Sequence, residues 1–293
     1  MDAPQELSLS VAGVGTLSAL AWGPPDGQRV LGLHGWMDNA ASFAGLGPLL
    51  EGVRFVALDL PGHGRSGHRP PGVTYHFIDW VADVVEALDA LGWERCAVVG
   101  HSMGAGVGLL TAGAFPERIS LLVMVDGVGP LTCNAAGAPQ RLRSALTSEA
   151  SRRGLPSEPR VYPSLESMAE RRRLATGLRA DVALRLVERA AEATEGGWRY
   201  RHDRRLRGSS RLRLTESHVE SFASAVQAPV QIIVALDSPA VPEGLIKTRL
   251  AGTGTVQIHR VKGGHHVHLE HPERVAPLVH ASLRALDSEQ GIV

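Results

Sequence analysis

Cysteine is scarce: 293 residues contain only two, Cys96 and Cys133. Two thiols build neither a disulfide framework nor a four-cysteine metal site, which fits a reducing compartment, and both read as small apolar packing residues. Net charge is absent too, because 30 Lys and Arg balance 30 Asp and Glu. Without a cationic excess, a general affinity for nucleic acid or an anionic membrane is not expected. No stretch reaches the roughly 18 uninterrupted apolar residues of a membrane span. The run "LSLSVAGVGTLSALAWG" lacks the basic start of a signal peptide, and Ser and Gly interrupt it repeatedly. Its alternation at Leu7, Leu9 and Val11, with Gly13 and Gly15 after it, predicts a β-hairpin. A cytoplasmic location is the expectation.

What the chain does have is apolar bulk, 44% of its residues, enough for a sizeable core. After the hairpin, short apolar runs alternate with helical patterns, the signature of a mostly parallel α/β sheet covered on both faces. The strand candidates are "RVLGLHG", "VRFVALDL", "RCAVVG", "LLVMVDG", "PVQIIVAL" and "TVQIHRV". In "HFIDWVADVVEALDALG", Ile78, Val81, Val84, Val85 and Leu88 recur at helical spacing. The alternation breaks once, from Leu131 to Ala225, where no strand is expected and "LESMAERRRLATGLRADVALRLVERAAEA" reads as helix throughout. That stretch holds 18 Arg, no Lys and 11 acidic residues, so it is positive by seven and the rest of the chain negative by seven. A helical insert at the ligand-binding end of such a sheet predicts a lid. The expected organisation is a core of residues 1–130 and 226–293 with a helical lid at 131–225. The lid arginines read first as a solvated face held to the acidic core, and second as a site for an acidic or acyl-carrier-linked substrate.

The chemistry centres on "GHSMG", Gly100 to Gly104, between an apolar strand and a helical run. A serine hydroxyl is a poor nucleophile until a base takes its proton and donors stabilise the oxyanion. G-x-S-x-G on a strand-to-helix turn supplies the position: two glycines make room for a strained bend, Ser102 projects above the sheet, and the Met103 amide lies at the helix's positive end. "GHGRSG" (62–67) satisfies G-x-G-x-x-G after a strand, but "HRPPG" follows it and cannot open a helix under a pyrophosphate, so a dinucleotide cofactor is not indicated.

The chain resembles the α/β-hydrolase superfamily over nearly all its length. "LGLHGWMDNAASF" looks like the family's oxyanion loop, "DLPGHGRS" like the next strand-end loop, "VGHSMGAGVGLL" like the nucleophile elbow, and "VKGGHHVHLEHPERVA" like the segment carrying the catalytic histidine. "HGWMDNAASF" looks most like the serine-hydrolase-like proteins, a lidded branch. The resemblance implies an α/β-hydrolase fold with a helical lid between late strands. It also implies Ser102 as nucleophile, His265 as base, and the amides of Trp36 and Met103 as the oxyanion hole. The Trp36 indole would border the pocket or, on the alternative reading, wall the core. His34 and His101 read as hydrogen-bonded structural residues. The cluster His265, His266, His268 and His271 matches no zinc motif, so no metal and no organic cofactor is implied.

The triad acid stays open. The family usually places it in a Gly-x-x-Asp loop after the strand that follows the lid, but here the stretch is "VALDSPAVP", with Ser238 where Asp is usual and Asp237 one place early. Some members instead use an acid at the end of the strand before the lid, which is Asp126 in "LLVMVDGVGP". Asp126 is slightly favoured because it needs no register shift; Asp237 is the alternative. The expected function is serine hydrolysis of a small or medium-sized carboxylic ester through an acyl-enzyme. Thioester or carbon–carbon bond hydrolysis, acyl transfer, and a non-catalytic ligand-binding protein are the alternatives. A serine at the elbow excludes the chemistries that need a carboxylate nucleophile there.

Overall fold

The structure, a computed structural model, describes residues 3–153 and 160–289. The N-terminal hairpin forms as expected: β1 (Gln5–Val11) pairs antiparallel with β2 (Gly15–Trp22), Val11 opposite Gly15. Then come β3 (Gln28–Leu33), β4 (Val53–Leu58), α1 (Asp79–Ala90), β5 (Cys96–His101), α2 (Met103–Ala114) and β6 (Ile119–Val125). The stretch after β6 holds α3 (Ala138–Arg153), α4 (Leu165–Thr176), α5 (Ala180–Ala190), β7 (Ala191–Thr194), β8 (Gly197–Tyr200) and α6 (Glu216–Ala225). Last are β9 (Val230–Ala235), α7 (Glu243–Arg249), β10 (Val256–Val261), α8 (Val267–Glu270) and α9 (Pro272–Glu289). Each of the six strand candidates forms a strand.

Eight strands make one sheet in the order β1-β2-β4-β3-β5-β6-β9-β10, parallel from β4 onward. From β3 the chain steps outward to β4, then returns to β5 on the other side and continues away. That reversal opens a crevice between the carboxyl ends of β3 and β5, where open α/β sheets bind ligands. Alternate residues of each strand enter opposite layers. Val98, Leu122 and Met124 pack with Val84 and Leu88 of α1 and Leu109 of α2, whereas Val99, Val123 and Val125 pack with Val275, Val279 and Leu283 of α9. Each such side chain stabilises the fold by about 1.5–3 kcal/mol on burial, so the strand ends are held on a rigid base.

The expectation of a strandless, continuously helical stretch needs correction. Gly177, at φ 75°, ends α4 in the left-handed conformation that glycine tolerates, and after α5 the chain turns back as the β7–β8 hairpin. Gly197 approaches so closely that a Cβ would lie 2.1 Å from the Tyr162 carbonyl oxygen. The alanines of "AEAT" favour helix locally, and cross-strand pairing overrides them. This part buries its own apolar cluster, including Tyr162, Met168, Val182 and Leu186, with Leu269 from the sheet-bearing part. By contrast, Leu206 and the α6 residues Val219 and Ala223 belong to the main core. No helix among the described residues is long and apolar enough to cross a membrane.

Candidate active site

The elbow at the end of β5 is as tight as its glycines suggest. Ser102 sits at φ 50°, ψ −109°, a conformation that non-glycine residues rarely adopt, at a cost of roughly 1–3 kcal/mol. A Cβ on Gly104 would lie 2.0 Å from the Leu33 carbonyl oxygen, and one on Gly100 would lie 2.5 Å from that of Gly104. The Ser102 amide donates to the Val125 carbonyl at 3.0 Å, tying the bend to β6.

His265 lies between β10 and α8, on the loop that follows Gly264. Its Nε2 is 3.0 Å from Ser102 Oγ and its Nδ1 is 2.6 Å from Asp126 Oδ2. Asp126 follows β6 at φ 45°, another left-handed non-glycine residue, with its amide donating to Ile233. Oδ1 accepts from the Ala235 amide at 3.1 Å and Oδ2 from Ser238 Oγ at 2.5 Å. Burial pushes this carboxyl's pKa up, but hydrogen bonds from His265, Ser238 and Ala235 outweigh it and hold the value below the usual carboxylate range. Asp237 is turned elsewhere: its Oδ2 accepts from the Gly263 amide at 3.1 Å and its own amide donates to the Gly263 carbonyl. The geometry therefore gathers Ser102, His265 and Asp126, and leaves Asp237 bracing the histidine loop.

Met103 opens α2, so its amide is among the helix-start N–H groups that lack an intrahelical acceptor. Trp36 lies in the turn closed by the Asp38 amide on the Gly35 carbonyl. The residue is 54% exposed, so it is not a core wall. Trp36, Ser102 and His265 line a cavity of about 490 Å³. The stretch between β6 and β9 also lines it, with Tyr162, Arg171, Arg172, Tyr200, His202 and Arg207.

Residues 28–272 match the α/β hydrolase fold family. The chain belongs to the α/β-hydrolase family. This hydrolase is 34% identical to a serine hydrolase-like protein of Danio rerio, over 94% of this chain and 87% of that one. It is 28% identical to the serine hydrolase-like protein of Mus musculus, over 98% and 97% of the two chains. Among solved structures, the hypothetical protein PA1622 from Pseudomonas aeruginosa PAO1 superposes with a TM-score of 0.84 at 40% identity, covering 96% of each chain. The thioesterase domain from the curacin biosynthetic pathway shares the fold, with a TM-score of 0.83 at 24% identity over 95% of this chain and 99% of that one.

In this hydrolase a second layer holds the histidine loop. His101 Nε2 is 2.8 Å from the His265 carbonyl oxygen, a contact that makes Nε2–H the donor. His101 Nδ1 then faces Asp38 Oδ2 at 3.6 Å. Burial depresses the His101 pKa. Burial alone would raise that of Asp38, but Arg172, then His101 and His266, hold it well below the usual range. Arg172 pairs with Asp38 Oδ1 and donates to the Met37 carbonyl at 2.8 Å, fastening α4 to the turn that carries Trp36. Asp38, His101 and His266 offer three ligand atoms within 4.8 Å, a set able to take a metal ion. Arg172 already balances the carboxylate, so no cation is needed for charge. Of the histidine cluster noted above, only His266 joins this group; His268 is fully buried against the His101 ring, with neither ring nitrogen hydrogen-bonded. His34 is structural, its Nδ1–H donating to Gly35 O and its Nε2 accepting from the Leu60 amide. Asp38 and Arg172 escaped sequence reasoning, and Ser238 entered it only as standing where the acid is usual; the Asp38 position inside "HGWMDN" and Ser238 in the acid's place are the local signals.

Proposed function

We propose that this chain is a serine esterase that cleaves a small or medium-sized carboxylic ester through an acyl-enzyme on Ser102. The observation that carries the reading is the His265 imidazole, 3.0 Å from Ser102 Oγ on one side and 2.6 Å from Asp126 on the other. Ser102 Oγ attacks the ester carbonyl carbon as its proton passes to His265 Nε2. The amides of Met103 and Trp36 receive the oxyanion, and the anionic Asp126 stabilises the imidazolium and holds its tautomer. The imidazolium then protonates the departing alcohol. Water, deprotonated by His265, releases the acid and restores the serine. The stretch over the cavity acts as a lid that limits water access, and the site is proposed to work in the cytoplasm on a small molecule, without a cofactor. Treatment with a fluorophosphonate tests the proposal: a mass adduct on Ser102, absent from Ser102→Ala, supports it, and no adduct on the wild type refutes it.

A further inference from the structure

The cavity over Ser102 is asymmetric in charge. Its one carboxylate, Asp38, is matched by Arg172. Arg171 and Arg207 also line it, and among the described residues neither side chain has a hydrogen-bonding or ion-pair partner. Most of the nearby arginines are occupied. Arg173 is forked onto Glu170 and Arg205 onto Asp203, and Arg189 donates through Nε to both Asp59 oxygens. Arg171 on α4 and Arg207 beyond β8 line the same cavity as Tyr200 and Ser102. Burial and then the Arg207 charge bring His202 down to about 4, so this neighbour is neutral at pH 7 and adds no competing positive charge. Two guanidiniums without a partner among the described residues, both lining a ligand-sized cavity, offer it sites for a carboxylate, which Arg binds in bidentate fashion.

We infer that the substrate carries an anionic carboxylate-type group remote from the ester, held by Arg171 and Arg207 while the ester carbonyl lies at Ser102. This inference rests on the esterase reading. An uncharged ester would leave both guanidiniums to water; a charged one replaces that water with charge-assisted hydrogen bonds beneath the lid.

Matched esters test it. p-Nitrophenyl hydrogen adipate against p-nitrophenyl hexanoate places the charge on the acyl side. 4-(Carboxymethyl)phenyl hexanoate against 4-methylphenyl hexanoate places it on the alcohol side. The expectation is a kcat/KM about tenfold higher for the charged member in one of the two pairs. The preference should fall toward unity in Arg171→Gln/Arg207→Gln and in high salt, and be largely retained in the corresponding lysine variant. Charged-to-neutral ratios at or below one in both pairs, or a ratio that the glutamine variant leaves unchanged, overturn the inference even where Ser102 takes the fluorophosphonate. Calorimetry of monomethyl adipate with Ser102→Ala reads the anion site without catalysis. Binding that Arg171→Gln/Arg207→Gln abolishes supports the site even if turnover fails, and no binding overturns it.

Discussion

Acidification should unfold this protein by protonating histidines that the fold keeps neutral. Burial holds His34 down to about 4, and burial with the neighbouring His34 charge holds His63 down to about 3. In the unfolded chain both return to about 6.5. Between pH 6.5 and 4 the unfolded state therefore binds more protons than the folded one, and stability falls as pH falls. At pH 5 each histidine has cost about 2 kcal/mol relative to neutral pH, or about 4 kcal/mol together. Asp83 works the other way. Burial, only partly countered by Arg69, raises its pKa to about 6, so the folded state gains a proton first and recovers about 1 kcal/mol at pH 5. The net loss is about 3 kcal/mol, a large share of a typical 5–15 kcal/mol, and the depressed His101 and His268 act with the same sign. Urea denaturation at pH 7, 6 and 5 measures this: the midpoint should drop by about 1 M for an m-value near 3 kcal/mol/M. In His63→Phe the drop between pH 7 and 5 should shrink by about 2 kcal/mol. A midpoint flat across this range, or a dependence unchanged in His63→Phe, would refute the assignment of buried neutral histidines.

Asp126→Asn should lower kcat/KM by about 10³–10⁴ through loss of the imidazole's anionic partner, whereas Asp237→Asn should stay within about threefold; steady-state kinetics on a short p-nitrophenyl ester checks both. Gly104→Ala puts a methyl 2.0 Å from the Leu33 carbonyl oxygen, so thermal melting should show a loss of about 3 kcal/mol or more, with activity falling as the elbow shifts. Arg189→Ala strands Asp59, whose carboxylate also holds the Ala40 and Arg65 amides. The expected cost is about 3–5 kcal/mol, with faster hydrogen exchange in α5 as its anchor to β4 is lost.

The elbow was legible because part of its constraint is local, Gly100 meeting the Gly104 backbone within a single turn, and because G-x-S-x-G between a strand and a helix is a compact pattern, although the room that Gly104 leaves is for the distant Leu33 carbonyl. The strands of the parallel sheet were legible for a similar reason, as buried runs such as "CAVVG" have few other uses. The choice between Asp126 and Asp237 was not, because it depends on a left-handed backbone at Asp126 and on Ser238 reaching a carboxylate 112 positions away in sequence. β7 and β8 were hidden by alanines that favour helix, although Gly196-Gly197 before "WRY" was an available hairpin signal. The Arg172–Asp38 pair joins residues 134 positions apart, and no periodicity encodes such a contact.

The central claim, that Ser102 carries the acyl group during turnover, is tested most directly by acid-quenching the reaction with a p-nitrophenyl ester and mapping peptides by mass. The acyl mass should sit on the peptide containing Ser102 and vanish in Ser102→Ala together with turnover. Acyl mass on another residue, or Ser102→Ala turning over the ester at the wild-type rate, would contradict the account.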